Sequence, residues 1–346
     1  MTAILFLALA VAELPLKAPL EQHPGIETVA GTVEGPSGRL RTITTAPSGS
    51  GRLPGIFVVG WLSCDSIALA SPSPRGVGRL LQDVVRKSGA LVFRMDKPGV
   101  GDSEGDCART DFVTELEAYR RAFAVFLRNP RLDPGRVILL GISNGGGFAP
   151  LVAGDAPVAG YVTVGGWSKT WLEHMIDLER RRLVLEGADP AGIGPALKSL
   201  LELHAAYLFD RLTPAQVAER RPRLRGVWYD EGDSQYGRPA RFYHQLQGLD
   251  LAAAWGRVRA PTLVVWGEYD WIMDRSDQEQ IVRLVGSAAR LLVVPRADHS
   301  FSQHPDAASA FRRMGAGEYP SASAAEILAF VAALRDRAAG AGRPAR

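Results

Sequence analysis

The segment Val137-Ile138-Leu139-Leu140-Gly141-Ile142-Ser143-Asn144-Gly145 is the part of the sequence that decides the fold. Four apolar residues predict a short buried strand, and a Gly-x-Ser-x-Gly pattern follows before a helix-compatible stretch. A sharp turn from strand to helix strains the backbone at the serine, and the glycines let neighbouring chain pass without a Cβ clash. The hydroxyl then lies at a helix N-terminus, where N–H groups can stabilise a developing anion. We therefore predict that Ser143 is a nucleophile; a Gly/Ser-rich turn that matches the pattern by chance is the alternative.

Short apolar strands alternate with helical periodicity on both sides of this segment. Strands are predicted at residues 56–59, 90–95, 137–140, 161–164, 262–266 and 291–294, after a hairpin at residues 28–45, and helices at residues 77–87, 112–127, 276–285 and 324–335. This order is typical of an α/β protein with a mostly parallel sheet and helices on both faces. Residues 167–251 interrupt it, because they have helical spacing and no clear strand. We expect a core of residues 25–166 and 252–337, with residues 167–251 inserted as a helical cap.

A serine hydroxyl is a weak nucleophile and needs a base within hydrogen-bond reach. Among six histidines, His299 lies in a polar loop directly after the last predicted strand, and we predict that it is the base. His304, five residues further on, is the second choice. Asp270 follows the preceding strand and a glycine turn, so we predict that its carboxylate orients His299. The weaker candidates for the acid are Glu268, Asp274 and Asp298.

Two backbone N–H groups are needed to hold a negatively charged oxygen during acyl transfer. Asn144 follows the nucleophile and is predicted to supply one. The second is expected in the turn after the strand at residues 56–59, where Trp61 is the first choice and Leu62 the second. Residues 96–103 (DKPGVGDS) form a Gly/Pro-rich loop that we interpret as scaffold rather than substrate contact. The loop lacks the Lys-Ser/Thr pair or third glycine of a phosphate-binding loop.

These residues together resemble the α/β-hydrolase superfamily, and within it the capped bacterial serine esterase-like hydrolases. The resemblance extends over residues 28–335 and rests on the segments at residues 60–61, 96–103, 141–145, 267–270 and 298–299. It implies a mostly parallel sheet of the eight-stranded type and hydrolysis of a carboxylic ester, or less readily an amide, through an acyl-enzyme. It implies no cofactor and no metal. The sequence departs from many relatives at Val59-Gly60, where they have His-Gly, and it lacks the His-Gly-Gly-Gly of carboxylesterases.

Two other functions are compatible with the same residues. An acyltransferase would use the same three side chains and deliver the acyl group to another acceptor. A ligand-binding protein on a retained hydrolase scaffold would use none of this chemistry. The expected partner is a small ester or amide, and the oligomeric state stays open. Aromatic residues of the insertion could line its pocket or form the insertion's own core: Trp167, Trp171, Tyr207, Trp228, Tyr229, Tyr236 and Tyr243.

The composition excludes some classes of partner. The net charge is +3, from 40 basic and 37 acidic residues, and the short arginine clusters fit solvated helix faces, so we expect no nucleic-acid partner. No apolar run approaches the roughly 18 residues of a transmembrane helix. Residues 1–12 contain an apolar stretch that resembles a secretion signal without a basic start; an N-terminal strand or helix is the alternative. We favour export over a cytoplasmic location.

The two cysteines, Cys64 and Cys107, follow neighbouring predicted strands at the same edge of the sheet. In an exported protein we expect them to pair and to pin the loop that carries Trp61. In a cytoplasmic protein they would remain two buried thiols.

Overall fold

The computed structural model describes residue 17, residues 19–69 and residues 76–340, with the side chains of residues 337–340 excepted. The apolar stretch at residues 1–12 lies outside the described residues. No helix in the described part of the chain is long and apolar enough to cross a membrane.

Eight strands form one sheet in the order β1-β2-β4-β3-β5-β6-β7-β8. The β1/β2 and β2/β4 pairs are antiparallel, and every other neighbouring pair is parallel. The strands are β1 (Ile26–Gly35), β2 (Gly38–Pro47), β3 (Leu53–Val59), β4 (Leu91–Met95), β5 (Leu132–Ile142), β6 (Gly160–Val164), β7 (Thr262–Gly267) and β8 (Ala289–Val294). The predicted mostly parallel sheet is confirmed.

Helices cover both faces of the sheet. They are α1 (Gly76–Lys87), α2 (Phe112–Leu127), α3 (Asn144–Ala153), α4 (Trp171–Leu185), α5 (Pro190–Leu208), α6 (Pro214–Arg220), α7 (Ala240–Gln247), α8 (Leu251–Gly256), α9 (Arg275–Val285), α10 (Ala307–Arg312) and α11 (Ser321–Gly340). Helices α1 and α11 pack on one face, and α2, α3, α8 and α9 on the other. Between β6 and β7 the chain forms α4 to α8 and contributes no strand to the sheet.

Strand β3 shows how the two faces are built. Ile56 and Val58 join the apolar cluster on the α1/α11 face, whereas Phe57 and Val59 join the cluster on the opposite face. Successive side chains of a strand point to opposite faces, so a strand buried on both sides is apolar throughout. Burial of each such side chain contributes about 1.5–3 kcal/mol. The central strands therefore form a rigid, buried sheet. The loops at the carboxyl ends of these strands can hold functional groups in fixed positions.

Strand β5 and helix α10 are among the elements that differ from the sequence expectation. Strand β5 begins at Leu132, five residues earlier than predicted. Leu132 pairs with Leu53, an irregularity that spans Pro134 and Gly135 shifts the register, and regular pairing with β3 resumes at Val137. Helix α10 has only 6 residues, which is too short to show a helical period. Its N-cap is Asp306, whose side chain accepts from the Ser309 N–H at 2.7 Å.

Candidate active site

Ser143 lies on the sharp turn between β5 and α3. Its φ is 55° and its ψ is −122°, a conformation that costs a residue with a side chain about 1–3 kcal/mol. The Ser143 N–H donates to the Val164 carbonyl on the adjacent strand at 2.8 Å, which ties the turn to the sheet. The side chain is therefore held at the carboxyl edge of the sheet, at the N-terminus of α3.

The two flanking glycines are required by backbone contacts. A Cβ on Gly141 would lie 2.4 Å from the Gly145 carbonyl oxygen. A Cβ on Gly145 would lie 2.1 Å from the Val59 oxygen and 2.4 Å from the Gly60 oxygen. The start of α3 thus packs directly against the chain that leaves β3.

His299 and Asp270 extend a line of hydrogen bonds from Ser143. His299 Nε2 lies 2.9 Å from Ser143 Oγ, and His299 Nδ1 lies 2.8 Å from Asp270 Oδ2. Burial disfavours the charged imidazolium, but the charge of Asp270 and its hydrogen bond outweigh burial, so the pKa of His299 is raised above 6.5. The structure brings together the three side chains that the sequence singles out.

Asp270 is fixed by its other oxygen. Asp270 Oδ1 accepts from the N–H groups of Ile272 and Met273, each at 2.9 Å. These bonds leave Oδ2 for His299. Because a carboxylate only accepts, His299 Nδ1 must carry the proton, and Nε2 is then free to accept one from Ser143.

The alternative acids and the alternative base have other partners. Glu268 accepts from the Arg296 N–H at 2.8 Å. Asp274 is the N-cap of α9 and accepts from the Ser276 N–H at 2.8 Å. Asp298 and His304 pair with each other at 2.7 Å, and Asp298 also accepts from the Ser302 N–H at 3.0 Å. This pair braces the loop that carries His299.

The predicted oxyanion donors lie in two segments that pack together. Asn144 is the first residue of α3, and Trp61 and Leu62 belong to residues 60–64, hereafter the 60–64 turn. Within the described residues, the N–H groups of Trp61 and Asn144 form no bond to another backbone group. No backbone acceptor therefore competes with a ligand for either of these N–H groups.

Side chains that the sequence did not single out hold the 60–64 turn. The Gly60 N–H donates to the Tyr119 hydroxyl of α2 at 3.2 Å. Lys97 Nζ donates to the carbonyl oxygens of Trp61, Leu62 and Ser63. The periodicity of residues 112–127 predicts a helix, but it carries no signal for the contact of Tyr119 with Gly60.

The loop at residues 96–103 forms the scaffold that its composition indicates. Asp96 and Asp102 both bind Arg41 of β2, and the Arg41–Asp102 distance is 2.7 Å. Asp96 also accepts from the Ile67 N–H at 2.8 Å. These contacts tie the loop to β2 and to the segment that follows the 60–64 turn.

A disulfide joins Cys64, at the end of the 60–64 turn, to Cys107, just before α2. It closes a sequence separation of 43 residues. The Arg238 guanidinium, which comes from the chain between β6 and β7, lies 3.1 Å from Cys107 Sγ. The disulfide therefore links the turn to the segment just before α2, and Arg238 contacts the same sulfur.

Four of the seven aromatic residues named between β6 and β7 pack into the main core rather than into a separate one. Trp167, Trp171, Tyr207 and Tyr243 are fully buried and lie in the same apolar cluster as the sheet. Tyr229 is 54% exposed. Burial, assisted by Lys169, lowers the pKa of His174 well below 6.5, so this histidine is neutral beside the two tryptophans. No group of three potential metal-binding side chains occurs among the described residues.

Comparisons with known proteins agree on one fold. A family model described as "Alpha/beta hydrolase family" matches residues 56–311. Among solved structures, the alpha/beta hydrolase GrgF from Penicillium sp. sh18 aligns with a TM-score of 0.54 and 17% identity, covering 90% of this chain and 99% of that one. Carboxyl esterase 2 from Tuber melanosporum aligns with a TM-score of 0.52 and 18% identity, covering 91% and 90%. No curated protein matches significantly in sequence.

An archaeal esterase shares the same architecture. The Pyrococcus furiosus esterase PF2001 aligns with a TM-score of 0.52 and 11% identity, covering 93% of this chain and 97% of that one. At such identities the likeness concerns the fold alone.

Proposed function

The chain belongs to the alpha/beta hydrolase family, and we propose that it is a serine hydrolase that cleaves a carboxylic ester through an acyl-enzyme. The observation that carries the proposal is the continuous line of hydrogen bonds from Ser143 Oγ through His299 to Asp270, with distances of 2.9 and 2.8 Å. A nucleophile, a base and a group that orients the base are the parts that acyl transfer requires.

In the first half-reaction Ser143 Oγ attacks the carbonyl carbon of the ester, and its proton passes to His299 Nε2. Asp270 stabilises the imidazolium that forms and keeps Nδ1 protonated. The N–H groups of Asn144 and Trp61 donate to the carbonyl oxygen as it becomes negative. His299 then gives the proton to the leaving alkoxide, the C–O bond to the alcohol breaks, and the acyl group remains on Ser143.

In the second half-reaction a water molecule takes the place of the alcohol. His299 accepts a proton from this water as the oxygen attacks the acyl carbon. The Ser143 Oγ–acyl bond breaks, the proton returns to Oγ, and the carboxylic acid leaves. The strained turn supports both steps, because it fixes Oγ before the substrate arrives and no reorganisation is needed during attack.

Labelling with a fluorescent fluorophosphonate tests the nucleophile. We expect the wild type to be labelled and Ser143→Ala to lose all labelling. The matched control is Ser199→Ala, which removes a serine hydroxyl from α5 whose bond is to the Pro195 oxygen. A folded wild type that resists labelling would refute the proposal and favour a ligand-binding protein on a hydrolase scaffold.

Turnover assays then separate the possible acyl acceptors and leaving groups. We expect hydrolysis of p-nitrophenyl esters, with the corresponding anilides cleaved far more slowly. Adding a primary alcohol to the ester assay measures how the acyl-enzyme partitions between water and another acceptor. Acid as the main product supports hydrolysis, whereas a new ester as the main product would identify an acyltransferase.

The Cys64–Cys107 disulfide supports action in an oxidising compartment, where such bonds form and persist. The intact mass, measured with and without reductant before alkylation, reports the state of the bond. We expect alkylation of both cysteines only after reduction. Two free thiols in protein isolated from an oxidising compartment would contradict this part of the proposal.

A further inference from the structure

Lys97 lies beneath the 60–64 turn with its ammonium almost completely buried. The residue is 4% exposed, and it follows Asp96 in the loop after β4. Lys97 Nζ donates to the Leu62 oxygen at 2.9 Å and the Ser63 oxygen at 3.1 Å, and it also contacts the Trp61 oxygen. One ammonium has three donors, so the turn uses all of them.

This contact fixes the orientation of the peptide groups in the turn. The C=O and N–H of a planar trans peptide point in opposite directions. With the Trp61 oxygen held on Lys97, the Leu62 N–H must point away from the ammonium, and the Leu62 oxygen fixes the Ser63 N–H in the same way. The carbonyl side of the turn thus faces Lys97, and these N–H groups face the other way.

The charge of Lys97 is only partly neutralised by its surroundings. Glu115 of α2 lies 3.6 Å from Lys97 Nζ, and the same carboxylate binds the buried guanidinium of Arg238. Asp65, directly after the turn, also contributes an attractive charge. Burying an ammonium costs several kcal/mol unless hydrogen bonds and opposite charges offset it. The three carbonyls and Glu115 provide part of that offset here.

We infer that Lys97 is a positioning residue for the proposed reaction. By holding the Trp61 carbonyl oxygen it restrains the residue whose N–H is the first-choice oxyanion donor, and it directs the N–H of Leu62, the second choice, away from the ammonium. The inference rests on the proposed function and deepens it. Lys97 touches no reacting atom in this scheme. Its effect is transmitted through the peptide groups, and displacements of about 1 Å in such groups can cost about 100-fold in rate.

The first test compares Lys97→Met with Lys97→Arg in the full chain. For Lys97→Met we expect kcat for a p-nitrophenyl ester to fall about 10- to 100-fold, with KM within about twofold. The affinity for a trifluoromethyl ketone, which forms an anionic adduct on Ser143, should fall by a similar factor. Lys97→Arg should recover part of both losses, because it retains a charged donor. An unchanged kcat in folded Lys97→Met would overturn the inference.

Arg94→Met is the matched control for the loss of a buried cation. Arg94 of β4 is 0% exposed, and it binds Glu21 and the Ile67 oxygen rather than the 60–64 turn. We expect a lower melting temperature with kcat and ketone affinity close to wild type. Equal losses of kcat in Arg94→Met and Lys97→Met would show that Lys97 acts only through stability.

The pH profile gives a readout that does not require Lys97→Met to fold. Burial lowers the pKa of Lys97 to about 8, against the attraction of Glu115 and Asp65 and with a contribution from Arg238. The hold on the carbonyls weakens once the ammonium loses its proton. We expect kcat of the wild type to decline above pH 8 and that of Lys97→Arg to remain level, since arginine stays charged. Identical alkaline limbs in the two proteins would contradict the inference.

Hydrogen exchange separates failure of this inference from failure of the proposed function. Amide exchange in a peptide that covers the 60–64 turn should become faster in Lys97→Met than in Arg94→Met, whatever the enzyme's activity. Faster exchange in Lys97→Met, in a protein that fluorophosphonate does not label, would support the role of Lys97 in holding the turn and refute the proposed hydrolase activity. Unchanged exchange in a protein that is labelled at Ser143 would refute the positioning alone.

Discussion

The 141–145 elbow and the 60–64 turn are both assigned to the proposed site, but they are held by different kinds of contact. The elbow is fixed by its own glycines, because Gly141 and Gly145 allow backbone atoms to approach where a Cβ would lie within 2.4 Å of a carbonyl oxygen. The turn is fixed by side chains from elsewhere in the sequence, namely Lys97 and Tyr119. A local pattern therefore encodes the first region, and tertiary packing creates the second.

This difference has an energetic consequence. Backbone atoms in a buried, close-packed sheet have little room to move. A substitution at the elbow that causes a steric clash therefore cannot be relieved by a small, low-energy shift. Side-chain hydrogen bonds are worth about 0.5–3 kcal/mol each, and the turn has several of them. Substitutions on the elbow side should accordingly reduce activity more than substitutions that remove one support of the turn.

The largest effect is expected at Asp270, which completes the hydrogen-bonded line that begins at the elbow. Asp270→Asn should lower kcat by about 10⁴-fold, because the amide can donate to Nδ1 and so favour the wrong tautomer of His299. Glu268→Gln is the matched control, since that carboxylate accepts from the Arg296 N–H instead. An ester assay at fixed pH measures both variants. A loss below tenfold in Asp270→Asn would remove Asp270 from the mechanism.

The pH dependence of the wild type follows from the same pair. His299 must be neutral to accept the serine proton, and Asp270 raises the pKa of His299 above 6.5. Activity is therefore present above that raised pKa and is lost as the pH falls through it. We expect the acid limb of kcat/KM to have its midpoint above pH 6.5. A midpoint below 6 would mean that Asp270 does not stabilise the imidazolium in solution.

Gly145→Ala tests the contact at which the two regions meet. The new methyl group would lie 2.1 Å from the Val59 oxygen and 2.4 Å from the Gly60 oxygen, so α3 and the chain before the turn must separate. We expect kcat/KM to fall about 100-fold or more and stability to fall by about 1–3 kcal/mol. In α5, Gly192→Ala meets nothing within 4 Å and should be neutral or slightly stabilising. Near-normal activity in Gly145→Ala would show that the elbow can relax.

The disulfide should contribute more to stability than to catalysis. Converting both cysteines to alanine releases a link across 43 residues, and loops of this size are worth about 2–4 kcal/mol. The activity at 25 °C should fall only severalfold, because Lys97 and Tyr119 still hold the turn. Thermal unfolding with and without reductant measures the effect, and the double variant should not respond to reductant. A stronger loss of activity than in Lys97→Met would make the disulfide the principal support of the turn.

The sequence could predict those features that depend on local pattern or on chain order. Short apolar strands, helical periodicity and the Gly-x-Ser-x-Gly segment indicated the sheet and placed Ser143, and chain order selected Asp270 and His299. The structure brings these three side chains together, and their catalytic role stays a prediction. The cap assigned to residues 167–251 also stays a prediction.

The supports of the 60–64 turn could not be predicted in the same way. Lys97 belongs to a loop that its glycines and proline marked as scaffold, and nothing in that pattern says where a lysine side chain points. Glu115 and Tyr119 are one helical turn apart in α2. The one signal in the sequence was the charged Glu115 on an otherwise apolar face of this helix. Finding its partners Lys97 and Arg238 requires the folded chain, because 123 residues separate Arg238 from Glu115.

A small effect is expected at Tyr119. Tyr119→Phe removes the hydroxyl that accepts the Gly60 N–H at 3.2 Å and leaves a buried donor without its partner, at a cost of about 1–3 kcal/mol. With Lys97 still in place, kcat should fall no more than about tenfold. Tyr161→Phe is the control, since Tyr161 of β6 is also buried and packs edge-on against Trp255 of α8. If Tyr119→Phe lowered kcat more than Gly145→Ala, a single side chain would constrain the site more tightly than backbone packing does, and the ranking of the two regions would be reversed.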